Sequence, residues 1–341
     1  MKKFLLRVGL FASPFLAYAL FLVLIDPYEY FHGSGPVATV TKEWTFCTEG
    51  GLWPVENALW KMIHFRRTPC PNILLGDSRP YLINPNLVVH LTGTRVFNLA
   101  IAGGVYNTST ELFWFANQLV ELRNVVIGVS FYAYHQTMER DYLSEPTAVL
   151  HNPLYYFTRG WVRKSFLQVL KAWTLPLLQA ATKQVAAAPP GQTVAATASA
   201  QDWQKIIDTY TGHYSNYAYP EHAYNQLREI ADYCRRKGIR LTLVVFPTHL
   251  DLQDRVRRFH LEAHRDRFLR DMAGLATVYD FNYDNDLTRD RRNFHDPFHP
   301  NQDTLAQVIR EVWGGEIKYA RIYRDGRISS GETASPSESG R

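Results

Sequence analysis

The sequence predicts an α/β protein: a parallel sheet with helices on both faces, interrupted by a long insertion and preceded by one membrane-spanning helix. Two observations predict the sheet. Apolar runs at 72–76, 95–99, 124–130, 239–246 and 277–281 alternate with helical stretches, the order that strand–helix–strand units produce. Most of these runs are continuously apolar rather than alternating, as strands covered on both sides are. A third observation predicts the span: residues 8–25 carry no charge and are mostly apolar, about 27 Å as a helix and enough to cross the hydrocarbon.

Lys2, Lys3 and Arg7 precede that run and Asp26 and Glu29 follow it, with no further basic residue before Lys42. The positive-inside bias puts residues 1–7 in the cytoplasm and everything after Ile25 outside. A cleaved signal peptide is the competing reading, since Ala17-Tyr18-Ala19 has the small-x-small pattern. Apolar residues continue from Leu20 to Ile25, past that site, and favour a retained anchor.

The rest of the chain has the composition of a packed globular protein, 46% hydrophobic and 20% charged, which argues against global disorder. The net charge of +5 is a mild excess, and arginines crowd 235–270 and 289–292. An anionic glycan or membrane surface would suit them, as would plain solvated helix faces. No zinc-finger spacing and no basic stretch interleaved with aromatics marks a nucleic-acid module. Three cysteines are too few for a disulfide scaffold, although Cys47 and Cys70 are placed to bridge in an oxidising compartment; Cys234 reads as a buried thiol.

Residues 26–70 form a linker rich in aromatics, Gly and Pro and then a leading helix over 55–65, opened by Pro54. The main domain is expected over 71–315. After the strand at 72–76 comes a short helix behind Pro85, then the strand at 95–99, a helix over 109–122 and the strand at 124–130. An insertion at about 150–215 follows, apolar and helical over 161–181 and without periodicity over 183–200. The helix at 220–237 stops at Gly238. One basic amphipathic helix is expected over 254–275. Asn301 caps the last helix, whose apolar residues are Leu305, Val308, Ile309 and Val312. Residues 316–341 are a polar tail, disordered at its end.

The chemistry gathers at two places. Asn72-Ile73-Leu74-Leu75-Gly76 is a buried strand ended by glycine, followed by Asp77-Ser78-Arg79. Residues just past the carboxyl end of such a strand sit where open α/β sheets bind ligands, so Ser78 is a candidate nucleophile. Far downstream, past the last of these strands, comes His295-Asp296-Pro297-Phe298-His299. Asp296 and His299 are three apart with a proline between them. That carboxylate can accept the imidazole Nδ1–H, leaving Nε2 to take a proton from a serine hydroxyl.

This combination resembles the SGNH/GDSL superfamily of ester hydrolases and acyltransferases. Gly76-Asp77-Ser78 matches its nucleophile block and Asp296-Pro297-Phe298-His299 its closing block, and the likeness covers about 71–315. The resemblance implies a flavodoxin-like three-layer fold and a Ser–His–Asp mechanism that needs no cofactor and no metal. It places an oxyanion donor at Gly103 or Gly104. The superfamily's third block, Gly-x-Asn-Asp, is absent: the third strand ends Gly128-Val129-Ser130-Phe131, which removes one expected oxyanion donor. Ser130 or Asn107 is the candidate substitute.

The same departure, an N-terminal anchor and a nucleophile block ending in arginine, here Arg79, resemble the membrane-anchored branch that serves teichoic acid D-alanylation and exopolysaccharide O-acetylation. That likeness implies an extracytoplasmic esterase or O-acyltransferase acting on an envelope or exported polysaccharide. A transferase further implies a multi-pass membrane acyltransferase partner delivering the acyl group. The opposing class is a non-catalytic domain of the same fold that binds glycan or partner proteins.

Other constellations are weaker. Gly128-Val129-Ser130-Phe131-Tyr132 lacks the final glycine of a G-x-S-x-G elbow. His260 and His264 are four apart but do not form H-E-x-x-H. His249, past the strand ending at Phe246, is a candidate for substrate positioning or a helix-start residue.

Overall fold

The computed structural model describes residues 1–32, 54–164, 166–167, 199–324 and 327–329. They fall into two compact units, one drawn from Met1–Thr68 and Tyr142–Gln192, the other from Pro69–Asp141 and Thr193–Arg341.

The chain starts with α1 (Lys2–Ile25) and, after a stretch outside the described residues, α2 (Pro54–Arg67). β1 (Asn72–Leu75), α3 (Ser78–Tyr81), α4 (Pro85–Thr92), β2 (Phe97–Asn98), α5 (Tyr106–Leu119) and β3 (Asn124–Val129) open the second unit. α6 (Ser144–His151) and α7 (Pro153–Thr158) return to the first, where they pack with each other and α6 packs on α2. The second unit resumes with α8 (Ala200–Ser215), α9 (Glu221–Lys237), β4 (Arg240–Val245), α10 (Leu250–Arg258) and α11 (Glu262–Leu275). It closes with β5 (Thr277–Asp280), α12 (Asp286–Arg289), α13 (Gln302–Gly314), β6 (Arg321–Arg324) and β7 (Arg327–Ser329).

In the first unit, α1 is long and apolar enough to be a membrane span or a signal sequence. Most of its length is exposed, including Phe4, Leu10, Phe11 and Leu16. Its carboxyl end is not. Leu22 is fully buried in a core with Tyr28, Leu59, Ile63, Val149 and Tyr156. Asp26 ends the helix in the left-handed region (φ 42°), and its carboxylate accepts the N–H groups of Tyr30, Phe31 and His32 at 2.7, 2.8 and 2.9 Å. The Tyr156 hydroxyl donates to the same carboxylate at 2.9 Å.

The second unit is built on one seven-stranded sheet in the order β2-β1-β3-β4-β5-β6-β7. The first five strands are parallel and give the doubly wound order 2-1-3-4-5. Leu74, Val126 and Val244 point to one face, where Val88 of α4 and Leu305, Val308 and Ile309 of α13 cover them. α5, α9 and α11 pack on the other face.

Four expectations need correcting. The sheet is not all parallel: β6 and β7 add an antiparallel hairpin to β5, built from residues expected in a polar tail. Ile322 and Tyr323 give that segment enough apolar character to pair. The helix expected over 254–275 is two, broken at His260, which takes φ 54°. Leu261 N–H donates to Val256 O at 2.9 Å and His260 N–H to Arg257 O at 3.1 Å, the two bonds of a Schellman stop with His in the glycine position. The break also takes His260 off the helix face it would share with His264. Part of the insertion belongs to the sheet-bearing unit, because α8 carries an amphipathic stripe of Trp203, Ile207, Tyr210 and Tyr214 that packs on α10. The leading helix runs two residues beyond its expected end, to Arg67. The stretch at 183–198, most of 161–181, the tail from 330 and Cys47 lie outside the described residues; Cys70 donates its thiol to Arg95 O at 3.3 Å.

Candidate active site

Two glycines and a proline aim Ser78. Gly76 leaves β1 at φ +134°, and a Cβ there would lie 2.7 Å from Pro80 Cγ and 3.1 Å from Gly128 O. A Cβ on Gly128, in β3, would lie 2.9 Å from the same Pro80 carbon and 3.1 Å from Phe246 Cε2. The Pro80 ring therefore closes down on two adjacent strands where neither carries a side chain. The chain is forced into the one-turn α3 directly after Gly76, with Ser78 at its first position and Asp77 capping it by accepting Arg79 N–H at 2.9 Å.

His299 arrives on a loop fastened at several points. Phe294 and Pro300 form an isolated bridge, and His295 N–H donates to His299 O at 2.9 Å. Asp296 Oδ1 accepts the N–H groups of Phe298 and His299 at 2.8 and 2.9 Å, which folds the loop around the carboxylate. Asp296 Oδ2 lies 2.7 Å from His299 Nδ1, and His299 Nε2 lies 2.8 Å from Ser78 Oγ. A carboxylate can only accept from Nδ1–H, so Nε2 is the ring nitrogen left to receive the serine proton. Burial raises the Asp296 pKa, but the hydrogen bond and charge of His299 and the two backbone N–H groups outweigh it, and the carboxyl lies below its ordinary range.

The residue after the serine and the residue before the histidine touch. Arg79, 1% exposed, gives Nε and Nη2 to the two oxygens of Asp77 at 3.2 and 2.6 Å. Its guanidinium sits 4.4 Å from the centre of the Phe298 ring, and Tyr210 of α8 stacks on Phe298 with centroids 4.4 Å apart and planes 11° apart. Tyr132 meets Phe298 edge-on at 4.9 Å. Burial works against the Arg79 charge, yet Asp77 beside it holds the guanidinium pKa above the ordinary value. Burial also pushes the Tyr132, Tyr210 and Tyr214 phenols up, so all three remain protonated donors.

Sequence reasoning named Ser78, Asp296, His299 and Arg79, and these four lie together. The other named residues divide. Gly104 N–H donates to Ile101 O at 2.8 Å, so that amide is already taken by a turn. Its missing side chain has a packing reason, since a Cβ would stand 2.9 Å from Ile101 O. Gly103 N–H has no hydrogen-bond partner among the described residues, and Ser78 N–H opens α3, where amides lack an intrahelical acceptor. Ser130 directly follows β3, and its backbone N–H and O both bond the Tyr106 hydroxyl, at 2.9 and 2.8 Å. Asn107 is engaged elsewhere: it bonds Arg140 O at 2.9 Å and lines a separate cavity with His135 and His222.

His249 caps α10. Its Nδ1 accepts Asp251 N–H at 3.1 Å, and Nε2 lies 3.2 Å from Arg289 O. The ring is thus occupied, and His249 acts on the loop through its backbone N–H, which donates to Pro297 O at 2.9 Å. Phe298, Tyr132 and Tyr210 were not singled out by sequence. The stripe in α8 was a legible signal; the stacking on Phe298 was not. Among the described residues no group of three His, Cys, Asp or Glu could hold a metal ion.

No protein-family model matches the chain, and neither does any curated protein. A solved structure of a proposed platelet activating factor from Streptococcus pneumonia aligns with a TM-score of 0.38 at 10% identity, over 76% of this chain and 92% of its own. One of a proposed acylhydrolase from Bacteroides fragilis NCTC 9343 gives 0.33 at 9% identity, over 72% and 87%. Both likenesses are too loose to bear on the chemistry.

Proposed function

We propose that this chain is a membrane-anchored serine esterase or O-acyltransferase of the SGNH/GDSL kind, acting outside the cytoplasm on acyl esters of an envelope or exported polysaccharide. One observation carries the reading: the unbroken relay from Ser78 Oγ to His299 Nε2 (2.8 Å) and from His299 Nδ1 to Asp296 (2.7 Å), at the carboxyl edge of a doubly wound sheet.

Ser78 Oγ attacks the ester carbonyl carbon as His299 Nε2 takes the hydroxyl proton. The resulting oxyanion is met by the N–H groups of Ser78 and Gly103. Collapse expels the alcohol, which leaves with the proton from His299, and the acyl group stays on Ser78. Water or a sugar hydroxyl then gives its proton to His299, attacks the acyl-enzyme and restores the serine. Asp296 orients the ring and stabilises its cation throughout. Water makes the protein an esterase and a sugar hydroxyl makes it a transferase; in the second case a multi-pass membrane partner supplies the acyl donor.

The retained anchor is supported by the first unit's packing. Tyr18, on the side of the Ala17-Tyr18-Ala19 site that cleavage would remove, packs against the core around Leu22 and Tyr156, and its hydroxyl donates to Phe157 O at 3.3 Å. Cleavage there would remove part of a folded core. Purified full-length protein should release p-nitrophenol from p-nitrophenyl acetate, and Ser78→Ala should not. Equal rates for the two proteins would sink the esterase reading. A reporter fused after Tyr30 tests orientation, and cytoplasmic activity would overturn it.

A further inference from the structure

A cavity of about 270 Å³ opens over the carboxyl ends of β3, β4 and β5. Ser78 and His299 do not line it, but their chain neighbours Arg79 and Phe298, stacked on each other, do. Two hydroxyl groups in the wall stand out. Tyr214 is 7% exposed and Ser130 6% exposed, and among the described residues neither side-chain hydroxyl has a hydrogen-bond partner. Neither oxygen is sealed from solvent, so both hydroxyls are open to a ligand in the cavity, and an apolar occupant would strip them of water without replacing it.

We propose that this cavity is a sugar subsite, holding a glycosyl unit of the substrate next to the unit whose ester reaches Ser78. The proposal rests on the ester chemistry assigned above and adds where the glycan is held.

The lining selects against other occupants. An acyl chain would cover the Tyr214 and Ser130 hydroxyls without pairing them. A strongly charged ligand would meet both signs: Arg257 is bonded to Asp254, Asp284 pairs with Arg289 at 2.6 Å, and Arg265 gives Nη2 to Asn282 O at 2.7 Å. A sugar hydroxyl both donates and accepts. It can therefore bond the Tyr214 phenol and Ser130 hydroxyl as well as the exposed Glu262 and Asp266 carboxylates that line the same cavity. Phe131 and Tyr132 supply ring surface on the same wall. The walls are braced independently of any ligand, since Gln253 donates to Thr248 O at 2.8 Å and Thr248 bonds Asn282 Oδ1 at 2.7 Å.

The test uses full-length Ser78→Ala protein in detergent, titrated calorimetrically with tetrasaccharides of glucose, of N-acetylglucosamine and of mannose. At least one should bind. Adding Tyr214→Phe should weaken that binding about three- to tenfold, the span expected for one lost hydrogen bond. Glu262→Gln, at an exposed position where folding is not at stake, should weaken it by about two- to threefold. No binding by any of the three, or binding that both substitutions leave unchanged, overturns the subsite. Phosphonate labelling of wild type in the same preparation separates the two readings. Protein that is labelled but binds no tetrasaccharide loses the subsite and keeps the ester chemistry. Unlabelled protein whose binding falls with Tyr214→Phe keeps the subsite and loses the hydrolase.

Discussion

The Arg79 guanidinium lies 4.4 Å from the centre of the Phe298 ring, so the residue after Ser78 is stacked on the residue before His299. The two loops come from opposite ends of the domain sequence, and this contact helps hold Ser78 and His299 in register. Asp77 fixes Arg79 from one side and Tyr210 closes over Phe298 from the other.

Replacing Arg79 with methionine removes both parts of this arrangement and leaves Asp77, 5% exposed, without its cation. Breaking one side of a buried ion pair costs about 3 kcal/mol. Urea unfolding of Arg79→Met should show a loss of that order. Phe298→Leu keeps the charge pair but loses the stack, and should lower kcat more than stability. Wild-type kcat in Phe298→Leu would argue that the stack does not position the histidine.

Gly128→Ala should also destabilise the protein, by about 2 kcal/mol, because its methyl group meets Pro80 and the Phe246 ring. The conformation at Gly128 is ordinary strand, so the effect is a matter of space alone. Trimming Phe246 to leucine in the same chain should return part of the loss, and a double-mutant cycle measures how much.

Asp296 carries a prediction about pH. Its folded pKa is depressed by His299 and two backbone N–H groups, despite a burial term that raises it. The sign follows from linkage: the stabilisation is full above the unfolded aspartate value, about 3.9, and fades as pH falls through the folded value. The stability gap between wild type and Asp296→Asn should be constant above about pH 5 and narrow below about pH 4. At neutral pH the same substitution should lower kcat by about four orders of magnitude, since an amide no longer fixes the histidine tautomer.

The five parallel strands were readable because each is a short apolar run closed by a turn or helix start; their order was carried only by the family resemblance, since right-handed crossovers fix the side of each helix and not the order of the strands. Ser78, Asp296 and His299 were readable because strand ends bring them to one edge of the sheet. What the sequence hid depends on tertiary contact. Gly128 looks like part of a damaged motif until Pro80 and Phe246 are seen pressing on it. His260 breaks a helix without the glycine that usually marks such a stop. Gly103 and Gly104 are adjacent and indistinguishable in sequence, yet one amide is spent on Ile101 O and the other is not. Tyr210 acquires its role only because α8 packs beside the histidine loop, a placement that no local periodicity encodes.

Covalent labelling of Ser78 tests the central claim most directly. Full-length protein treated with a serine-directed fluorophosphonate and read by intact mass should gain one adduct, mapped to the peptide containing Ser78. Ser78→Ala should gain none, and His299→Ala should label far more slowly. A folded wild-type sample that stays unmodified, or an adduct that persists in Ser78→Ala, would contradict the account.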